Sequence, residues 1–478
     1  MPTGGVTPAQ SQPLAPQRAA GRLGAGVDPA GVVYEADGAI VRGIHARFAG
    51  FYTTLLQRPA VQEMIGRELI ETSIDPGGLA GYALALRHRR IVPVSYCYEW
   101  PFPMLRDAAL LTLDICVKLA GEGLVLQDAS PFNVLYEGSR PILVDFTSIV
   151  PEHPNLLWVA YGQFCQLFLY PLVLWSTGSG RLARALLLDP LNGVGDGDLA
   201  PLLRTRALLR MPWLLTRVHL PRLLLGAVRR LSTDRALARV SARLKPTPEA
   251  RCSFFRSLRG NVRSIPYRRG RSRWSQYYAD VEGFFSPQGG GPKQSAVAAI
   301  LAELRPRTVT DIGCNLGGYS ILAAQAGARV TALDTDDDCV GSLYELARDR
   351  RLAILPLVVD AVNPSPSCGW RAIEYPAAPA RLRSDMAMAL ALVHHLAITQ
   401  RQTWERIALA LADYADRWLL TEFVPLDDPR AVELLATSQR EMGWYSLDGF
   451  LAALGRLFAQ VETFPSHPEG RTLILCTR

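Results

Sequence analysis

The sequence predicts an α/β protein whose carboxyl-terminal part forms a largely parallel, seven-stranded sheet. The central observation is the stretch TVTDIGCNLGGYS at residues 308–320, in which an apolar strand ends in a glycine-rich turn. An apolar, alanine-rich segment with helical spacing follows directly at residues 321–328. Further apolar runs then alternate with helical segments, and a pair of short runs closes the chain. This alternation is typical of a parallel sheet covered by helices.

The chain of 478 residues is too long for one ordinary hydrophobic core, so we expect at least two domains. Hydrophobic residues make up 49% and charged residues 20%, which is typical of a globular protein. The first residues are rich in Pro, Gln, Ala and Gly and predict a disordered tail. The expected domains are this tail at 1–28, a small α+β lobe at 29–105, a helical lobe at 106–272, a linker or lid at 273–292, and the sheet domain at 293–478.

Positive charge is concentrated in one part of the chain. The net charge is +7, and residues 204–273 hold 19 Arg and Lys against two acids. One interpretation is a surface for nucleic acid or an acidic membrane. Leucines interleave the arginines at amphipathic spacing, and aromatic residues that could stack on bases are sparse. Solvated helix faces are therefore favoured over a nucleic-acid surface.

Cysteine usage and hydropathy bear on the location of the protein. Eight cysteines are scattered without a C-x-x-C pair, which argues against a disulfide framework or a zinc site and favours a reducing compartment. No charged segment followed by an apolar one opens the chain, so we expect a cytoplasmic location. The most apolar stretch, residues 157–175, contains Gln163, Gln166 and Pro171. It predicts a buried helix and not a membrane span.

The amino-terminal half predicts a small mixed lobe followed by helices. Strand-like runs lie at 31–34, 39–44 and 91–98, and a helical piece lies at 49–57. A strong amphipathic helix is predicted at 106–120. Several basic amphipathic helices are expected at 182–244, separated by Pro and Gly.

Residues 124–148, LVLQDASPFNVLYEGSRPILVDFTS, follow the predicted amphipathic helix. Asp128 and Asn133 are five residues apart, and Asp145 follows twelve residues later on an apolar strand. The stretch resembles the catalytic loop and metal-binding aspartate of the protein-kinase-like fold. The resemblance implies that the three residues are a base and two metal ligands.

Two features of an active kinase are absent from this region. No glycine-rich loop lies before Tyr34, and no lysine that could contact phosphates lies before Lys118. Arg42 is a residue that could replace such a lysine. We therefore interpret the region as a degenerate kinase-like scaffold that binds or docks a substrate. A bifunctional enzyme that also transfers phosphoryl groups is the alternative.

The glycine-rich turn and the strand after it carry a further resemblance. The run at 329–333 stops at Asp334, 23 residues after Asp311. An acidic group at the end of a second strand can accept hydrogen bonds from both ribose hydroxyls of an adenosyl ligand. The spacing D-x-G-x-x-x-G resembles the first motif of class I S-adenosylmethionine (SAM)-dependent methyltransferases, which have a Rossmann-like fold.

The methyltransferase resemblance covers residues 293–478 and implies SAM as the cofactor. It assigns Asp334 to the ribose, and Asp360, which ends the apolar run 352–359, to the adenine amino group. No metal is implied. The residues that the resemblance assigns to cofactor binding are Asp311, Gly313, Cys314, Asn315, Gly317, Asp334, Thr335, Asp360 and Ala361.

The fourth apolar run, residues 385–393, is followed by His394 and His395. Ligands in open α/β sheets bind at the carboxyl ends of the strands, so we expect one of these histidines near the methyl group as base or substrate orienter. Glu422, in a strand predicted at 418–424, is expected at the same rim as a second substrate contact. Val-His-His-Leu stands where methyltransferases of exocyclic nucleobase amines have Asn-Pro-Pro-Tyr, which disfavours nucleobase methylation.

These observations predict a methyltransferase that acts on an oxygen or nitrogen atom of a small molecule or glycan. The alternatives are a bifunctional methyltransferase and phosphotransferase, and an RNA methyltransferase that uses residues 204–273. Residues 274–292 are interpreted as part of a lid over the cofactor pocket, with a plain linker as the alternative. The sequence predicts neither the identity of the acceptor nor the oligomeric state.

Overall fold

The computed structural model of the protein describes residues 21–22, 28–203, 205–216, 246–267, 291–436 and 442–478. The chain divides into two compact units, Met1–Arg90 with Val144–Ile149, and Ile91–Leu143 with Val150–Arg478. Nearly all of the predicted tail and of the predicted lid lie outside the described residues. The domain boundaries drawn from the sequence stay predictions.

The first unit contains an antiparallel five-stranded sheet and two helices. Its strands are β1 (Gly21–Arg22), β2 (Gly31–Ala36), β3 (Ala39–Ile44), β4 (Thr72–Ile74) and β5 (Leu84–His88), in the order β1-β2-β3-β5-β4. The helices are α1 (Ala46–Gln57) and α2 (Pro59–Met64). Asp37 and Gly38 both have positive φ, 52° and 72°, and join β2 to β3. An Asp-Gly pair in this conformation is a preferred two-residue hairpin turn.

Residues 91–267 contribute mainly helices. A long helix, α3 (Phe102–Ala120), has a Pro in its first turn and buries Leu105, Leu113 and Leu119 along one face. From residue 161 to 176 the chain is helical and mostly buried, with a π-helical turn at Cys165–Leu169. Within the described ranges, no helix is long and apolar enough to cross a membrane. The elements are α3 (Phe102–Ala120), β6 (Leu124–Leu126), β7 (Val134–Glu137), β8 (Arg140–Leu143), β9 (Ile149–Pro151), α4 (Tyr161–Phe164), α5 (Tyr170–Ser176), α6 (Gly180–Leu186), α7 (Asp196–Leu202), α8 (Thr205–Arg210) and α9 (Pro248–Ser264).

Residues 291–478 fold around a seven-stranded mixed sheet, which confirms the predicted α/β class. The strands are β10 (Thr308–Ile312), β11 (Arg329–Asp334), β12 (Ile354–Val358), β13 (Ser384–Ala389), β14 (Ala415–Phe423), β15 (Gln460–Pro465) and β16 (Thr472–Thr477). Their order is β12-β11-β10-β13-β14-β16-β15. The first five are parallel, and β16 pairs antiparallel with both β14 and β15. The order reverses between β10 and β13, and open α/β sheets generally bind their ligands at the carboxyl ends of the strands beside such a reversal.

Helices surround this sheet. They are α10 (Pro292–Leu304), α11 (Gly318–Gln325), α12 (Asp337–Arg350), α13 (Ala378–Arg381), α14 (Trp404–Ala412), α15 (Pro429–Leu435) and α16 (Leu447–Gly455). Side chains of α10, α11 and α12 share one buried cluster with strand residues, among them Val309, Val330 and Met386. Trp404 of α14 packs on Phe450 of α16, with ring centroids 4.6 Å apart. The parallel strands are therefore covered by apolar helix faces.

Two strand predictions are wrong. Residues 91–98 form no strand, because Pro93 has no N–H to donate and the N–H of Tyr96 donates to the side chain of Glu99 at 3.2 Å, closing a turn at Cys97–Glu99. The strand predicted at 385–393 ends at Ala389, and Val393 already starts a helical turn. Of the region predicted as basic helices at 182–244, residue 204 and residues 217–244 lie outside the described residues.

Candidate active site

The glycine-rich turn after β10 has an unusual backbone. Gly313 and Gly317 have φ of 76° and 84°, and Asn315 between them has φ of 51°. A Cβ atom at Gly317 would lie 2.3 Å from Cδ1 of Leu343 in α12, so only glycine fits there. The turn therefore brings bare backbone to the start of α11, and the first N–H groups of a helix have no partner within the helix itself.

Asp334, the last residue of β11, is bound to this turn. Its Oδ2 accepts the N–H of Asn315 at 2.8 Å, and its Oδ1 accepts the N–H of Asp336 at 2.9 Å. The N–H groups of Gly313 and Cys314 donate to the carbonyl of Leu333 at 2.8 and 3.0 Å. Burial raises the pKa of Asp334, although the backbone N–H groups oppose the rise. The carboxylate predicted to bind ribose thus lies within hydrogen-bond reach of the turn.

Asp311 is buried inside β10. Its Oδ2 accepts the hydroxyl hydrogen of Ser320 at 2.6 Å. Burial raises the pKa of Asp311 to about 6, the Ser320 hydrogen bond opposes this, and the charge of Asp334 adds to it. Its carboxyl group is therefore partly protonated in mildly acidic solution.

This pKa predicts a pH dependence of stability. The ordinary Asp pKa is about 3.9, so the folded state binds the proton of Asp311 more tightly than the unfolded chain between about pH 4 and pH 6. The contribution of Asp311 to the free energy of unfolding falls as the pH rises through this window. The effect of Asp311→Asn on thermal stability should therefore be more favourable at about pH 7.5 than at about pH 5. Asp349→Asn, at an exposed position, is the control. An equal effect of Asp311→Asn on thermal stability at both pH values would contradict the prediction.

The remaining predicted cofactor residues lie at the ends of β11 and β12. Thr335 is exposed and follows Asp334 directly. Asp360 lies two residues beyond β12, and its Oδ1 accepts the N–H of Val362 at 3.0 Å. Ala361 is buried. All three are at the carboxyl edge of the sheet, as predicted, but their roles stay predictions.

The two predicted histidines lie on the helical turn after β13. The preceding Leu392 packs on the glycine turn, since its Cδ1 would be 3.0 Å from a Cβ at Gly313. The rings of His394 and His395 have centroids 4.1 Å apart. His394 is 2% exposed, and its Nδ1 has no hydrogen-bond partner. Burial, with the neighbouring His395 and Arg471, lowers the pKa of His394 to about 3.

Glu422, predicted at the rim, is 0% exposed. Its Oε2 lies 2.5 Å from Nζ of Lys293 at the start of α10 and also accepts the N–H of Ala391 at 2.8 Å. Its Oε1 accepts the hydroxyl hydrogen of Ser466 at 2.6 Å. Glu422 therefore connects α10, the loop after β13 and the loop after β15. Its assignment as a substrate contact stays a prediction.

Sequence reasoning missed two cations beside the histidines. Lys293 forms the buried pair with Glu422, and burial lowers its pKa although Glu422 opposes this. Arg471 makes two hydrogen bonds to Asp428, at 2.8 and 3.1 Å. A signal for Lys293 was available, because the chain has only three lysines among its 51 basic residues. No signal near Arg471 pointed to Asp428.

The residues of the kinase-like motif fall into both units. In the first unit, Asp145 Oδ1 lies 3.0 Å from Nη1 of Arg42, and the same nitrogen lies 2.7 Å from Oδ2 of Asp28. Arg42 also hydrogen-bonds to Thr147. In the second unit, Asp128 and Asn133 follow β6, and both are half-buried. The arginine predicted to replace a lysine is thus paired with two carboxylates.

Comparison with known proteins gives one relative over most of the chain. No model of a known protein family matches. Nodulation protein NoeA of Rhizobium meliloti (strain 1021) is 30% identical over 437 residues, covering 90% of this chain and 90% of NoeA.

Solved structures match only in part. Monomeric WbdD is 17% identical with a TM-score of 0.29, and the match covers 38% of this chain and 41% of WbdD. Magnesium protoporphyrin IX methyltransferase (ChlM) from Synechocystis PCC 6803 with bound SAM is 20% identical with a TM-score of 0.28. The match covers 44% of this chain and 87% of ChlM. PH0226 protein from Pyrococcus horikoshii OT3 is 15% identical with a TM-score of 0.30. The match covers 42% of this chain and 98% of PH0226.

Proposed function

The chain belongs to the family of nodulation protein NoeA, and we propose that it is a SAM-dependent methyltransferase. The acceptor is an oxygen or nitrogen atom of a small molecule or glycan. Residues 293–478 form the class I methyltransferase domain, and the kinase-like region before them binds or docks the substrate.

The observation that most directly supports cofactor binding is the carboxylate of Asp334 beside the glycine turn. Its oxygens accept the backbone N–H groups of Asn315 and Asp336, and the N–H of Thr335 also acts on the carboxylate. A carboxylate has about four acceptor sites, so acceptor capacity remains for the ribose. Asp334 also ends the strand next to the point where the strand order reverses, where open α/β sheets bind nucleotides.

The other residues fit the same cofactor. Asp311 in β10 and the turn with Gly313, Cys314, Asn315 and Gly317 would lie on the side of the amino acid part of SAM. Thr335 would flank the ribose, and Asp360 and Ala361 would hold the adenine. When bound, SAM supplies a methyl group whose carbon the acceptor atom would bond in line as the bond to the positively charged sulfur breaks. The protein contributes mainly by aligning the acceptor with that group.

His394 is suited to orient the acceptor. Its pKa of about 3 leaves the ring neutral at physiological pH. A neutral imidazole has one unprotonated nitrogen, which can accept a hydrogen bond from an acceptor hydroxyl or amine. The low pKa makes it a weak base, so any removal of a proton falls to His395 or to solvent.

The pairing of Arg42 with Asp145 argues against phosphoryl transfer. A metal-binding aspartate must offer its carboxylate to the ion, whereas here Arg42 and the hydroxyl of Thr147 both contact its Oδ1. A docking role for the kinase-like region needs no such metal.

Calorimetry with S-adenosylhomocysteine (SAH), the product of methyl transfer, tests the cofactor assignment in the full chain. Saturable binding of one SAH per chain is expected, and its absence at millimolar SAH would overturn the proposal. A screen of metabolite extracts with a radiolabelled methyl donor then identifies the acceptor. Labelling of RNA alone, with salt-sensitive binding, would favour an RNA methyltransferase.

His394→Ala should lower kcat by up to about tenfold, which corresponds to one lost neutral hydrogen bond. The Kd for SAH should stay near that of the wild type, because His394 contacts the acceptor and not the cofactor. His394→Gln, which retains an acceptor atom, should recover part of the loss. His395→Ala should likewise lower kcat without weakening SAH binding. A parallel loss of kcat and SAH affinity would show that the residue only supports the fold.

A further inference from the structure

The helix after Asp334, α12, is held by side chains from residues 91–267 of the same unit. Near its carboxyl end, Oδ2 of Asp107 in α3 accepts hydrogen bonds from the Tyr344 hydroxyl at 2.8 Å and from Nη1 of Arg348 at 2.9 Å. Leu343, next to Tyr344, packs under Gly317 of the glycine turn. α12 therefore lies between α3 and the candidate cofactor turn.

The amino-terminal end of α12 has a second attachment. The indole N–H of Trp175 in α5 donates to Oδ2 of Asp337 at 2.9 Å, and Nη1 of Arg184 in α6 lies 2.8 Å from Oδ1 of Asp337. The guanidinium of Arg184 lies over the Trp175 ring, 5.1 Å from its centroid. One oxygen of this carboxylate is thus hydrogen-bonded to α5, and the other is ion-paired with α6.

This attachment lies close to the predicted ribose carboxylate. Asp337 follows Asp336, whose N–H donates to Oδ1 of Asp334 at 2.9 Å. The side chain of Asp336 caps α12 by accepting the N–H groups of Asp338 and Cys339 at 3.0 and 3.1 Å. Fixing Asp337 therefore fixes the peptide that orients the carboxylate of Asp334.

We propose that Trp175 and Arg184 are positioning residues for cofactor binding, which they support by holding Asp337 so that Asp334 faces the ribose. The inference rests on the proposed function. It makes the helices before the methyltransferase domain part of the cofactor site. If these contacts only supported the fold, their removal would weaken the binding of every cofactor analogue equally.

The test compares two ligands in the full chain by calorimetry: SAH and its 2′,3′-dideoxy analogue, which lacks both ribose hydroxyls. In Trp175→Phe/Arg184→Gln the Kd for SAH should rise about tenfold, the loss of roughly one charge-assisted hydrogen bond. The Kd for the dideoxy analogue should change less than about twofold, because that analogue makes no contact with Asp334. The single variants should show smaller effects in the same direction, and they serve if the double variant does not fold.

Asp107→Asn is the matched control, since it disturbs the same interface at the opposite end of α12. It should lower thermal stability and leave the ratio of the two Kd values unchanged. Failure of the wild type to bind SAH would overturn the proposed function itself. Binding of SAH by the wild type, with equal losses for both ligands in the Trp175 and Arg184 variants, would overturn only the positioning role.

Discussion

Replacing Asp334 by alanine is expected to raise the Kd for SAH by about 10- to 150-fold, since hydrogen bonds to a charged group contribute about 1.5–3 kcal/mol. The substitution removes the carboxylate that would accept the ribose hydroxyls. It also removes the carboxylate acceptor of the N–H groups of Asn315 and Asp336, two residues that are only half-buried. The chain should therefore remain folded. Calorimetry with SAH measures the loss.

The pH dependence of binding gives a second readout for Asp334. Burial raises the pKa of its carboxyl group, and the protonated form has lost the charge that strengthens the hydrogen bonds. SAH affinity should therefore fall on acidification at a higher pH than an ordinary aspartate would give. Asp334→Asn should bind weakly at every pH. Asp349→Asn, exposed near the other end of α12, is the control and should bind SAH like the wild type. Normal affinity in Asp334→Ala would remove the main support for a methyltransferase.

The conformation of the glycine turn could be predicted because its determinants are local. Gly313 and Gly317 supply positive φ within five residues, and Asp334 ends the next strand. The positive φ of the turn depends only on residues next to it in the chain. The position of Asp334 depends on where the next strand ends, and the alternation of apolar runs already indicates this. The succession of β10 to β14 along the chain is likewise indicated by the alternating apolar runs.

What the sequence did not indicate depends on contacts between distant residues. The strand predicted at 385–393 ends at Ala389 because Ala391 adopts φ of 51° and its N–H donates to Glu422. An apolar run carries no sign of a partner 31 residues away. The attachment of Asp107 to Tyr344 joins residues 237 positions apart. Hydrophobic periodicity cannot indicate pairs of this kind, because it reports only which face of an element is buried.

Glu422 shows how such a contact changes the interpretation of a residue. The end of a strand at the ligand edge predicted a substrate contact. The structure instead gives its carboxylate three partners, Lys293, Ala391 and Ser466, and no exposed surface. We therefore expect Glu422 to hold α10 and the loop before His394 in place.

Lys293→Met is accordingly expected to destabilise the sheet domain by about 3–5 kcal/mol, because it leaves the buried carboxylate of Glu422 without its counter-ion. Adding Glu422→Gln should recover most of that loss, since the neutral amide needs no counter-ion and still accepts one hydrogen bond. Hydrogen exchange of the β14 amides measures the change locally. The exposed pair of Arg430 and Glu433 is the control, and Arg430→Met should cost at most about 1 kcal/mol.

The same variants separate a structural Glu422 from one that contacts the substrate. If the carboxylate only holds Lys293 and the loop, Glu422→Gln should lower stability and leave kcat within about tenfold of the wild type, well short of the 10²- to 10⁴-fold loss typical of an acid or base. Lys293→Met with Glu422→Gln should then regain both the stability and the kcat that Lys293→Met alone has lost. A double variant that is stable, binds SAH normally and has lost more than about 100-fold in kcat would instead assign Glu422 to the acceptor. The buried pair would then serve to keep that carboxylate charged, and His394 would not be the main acceptor contact.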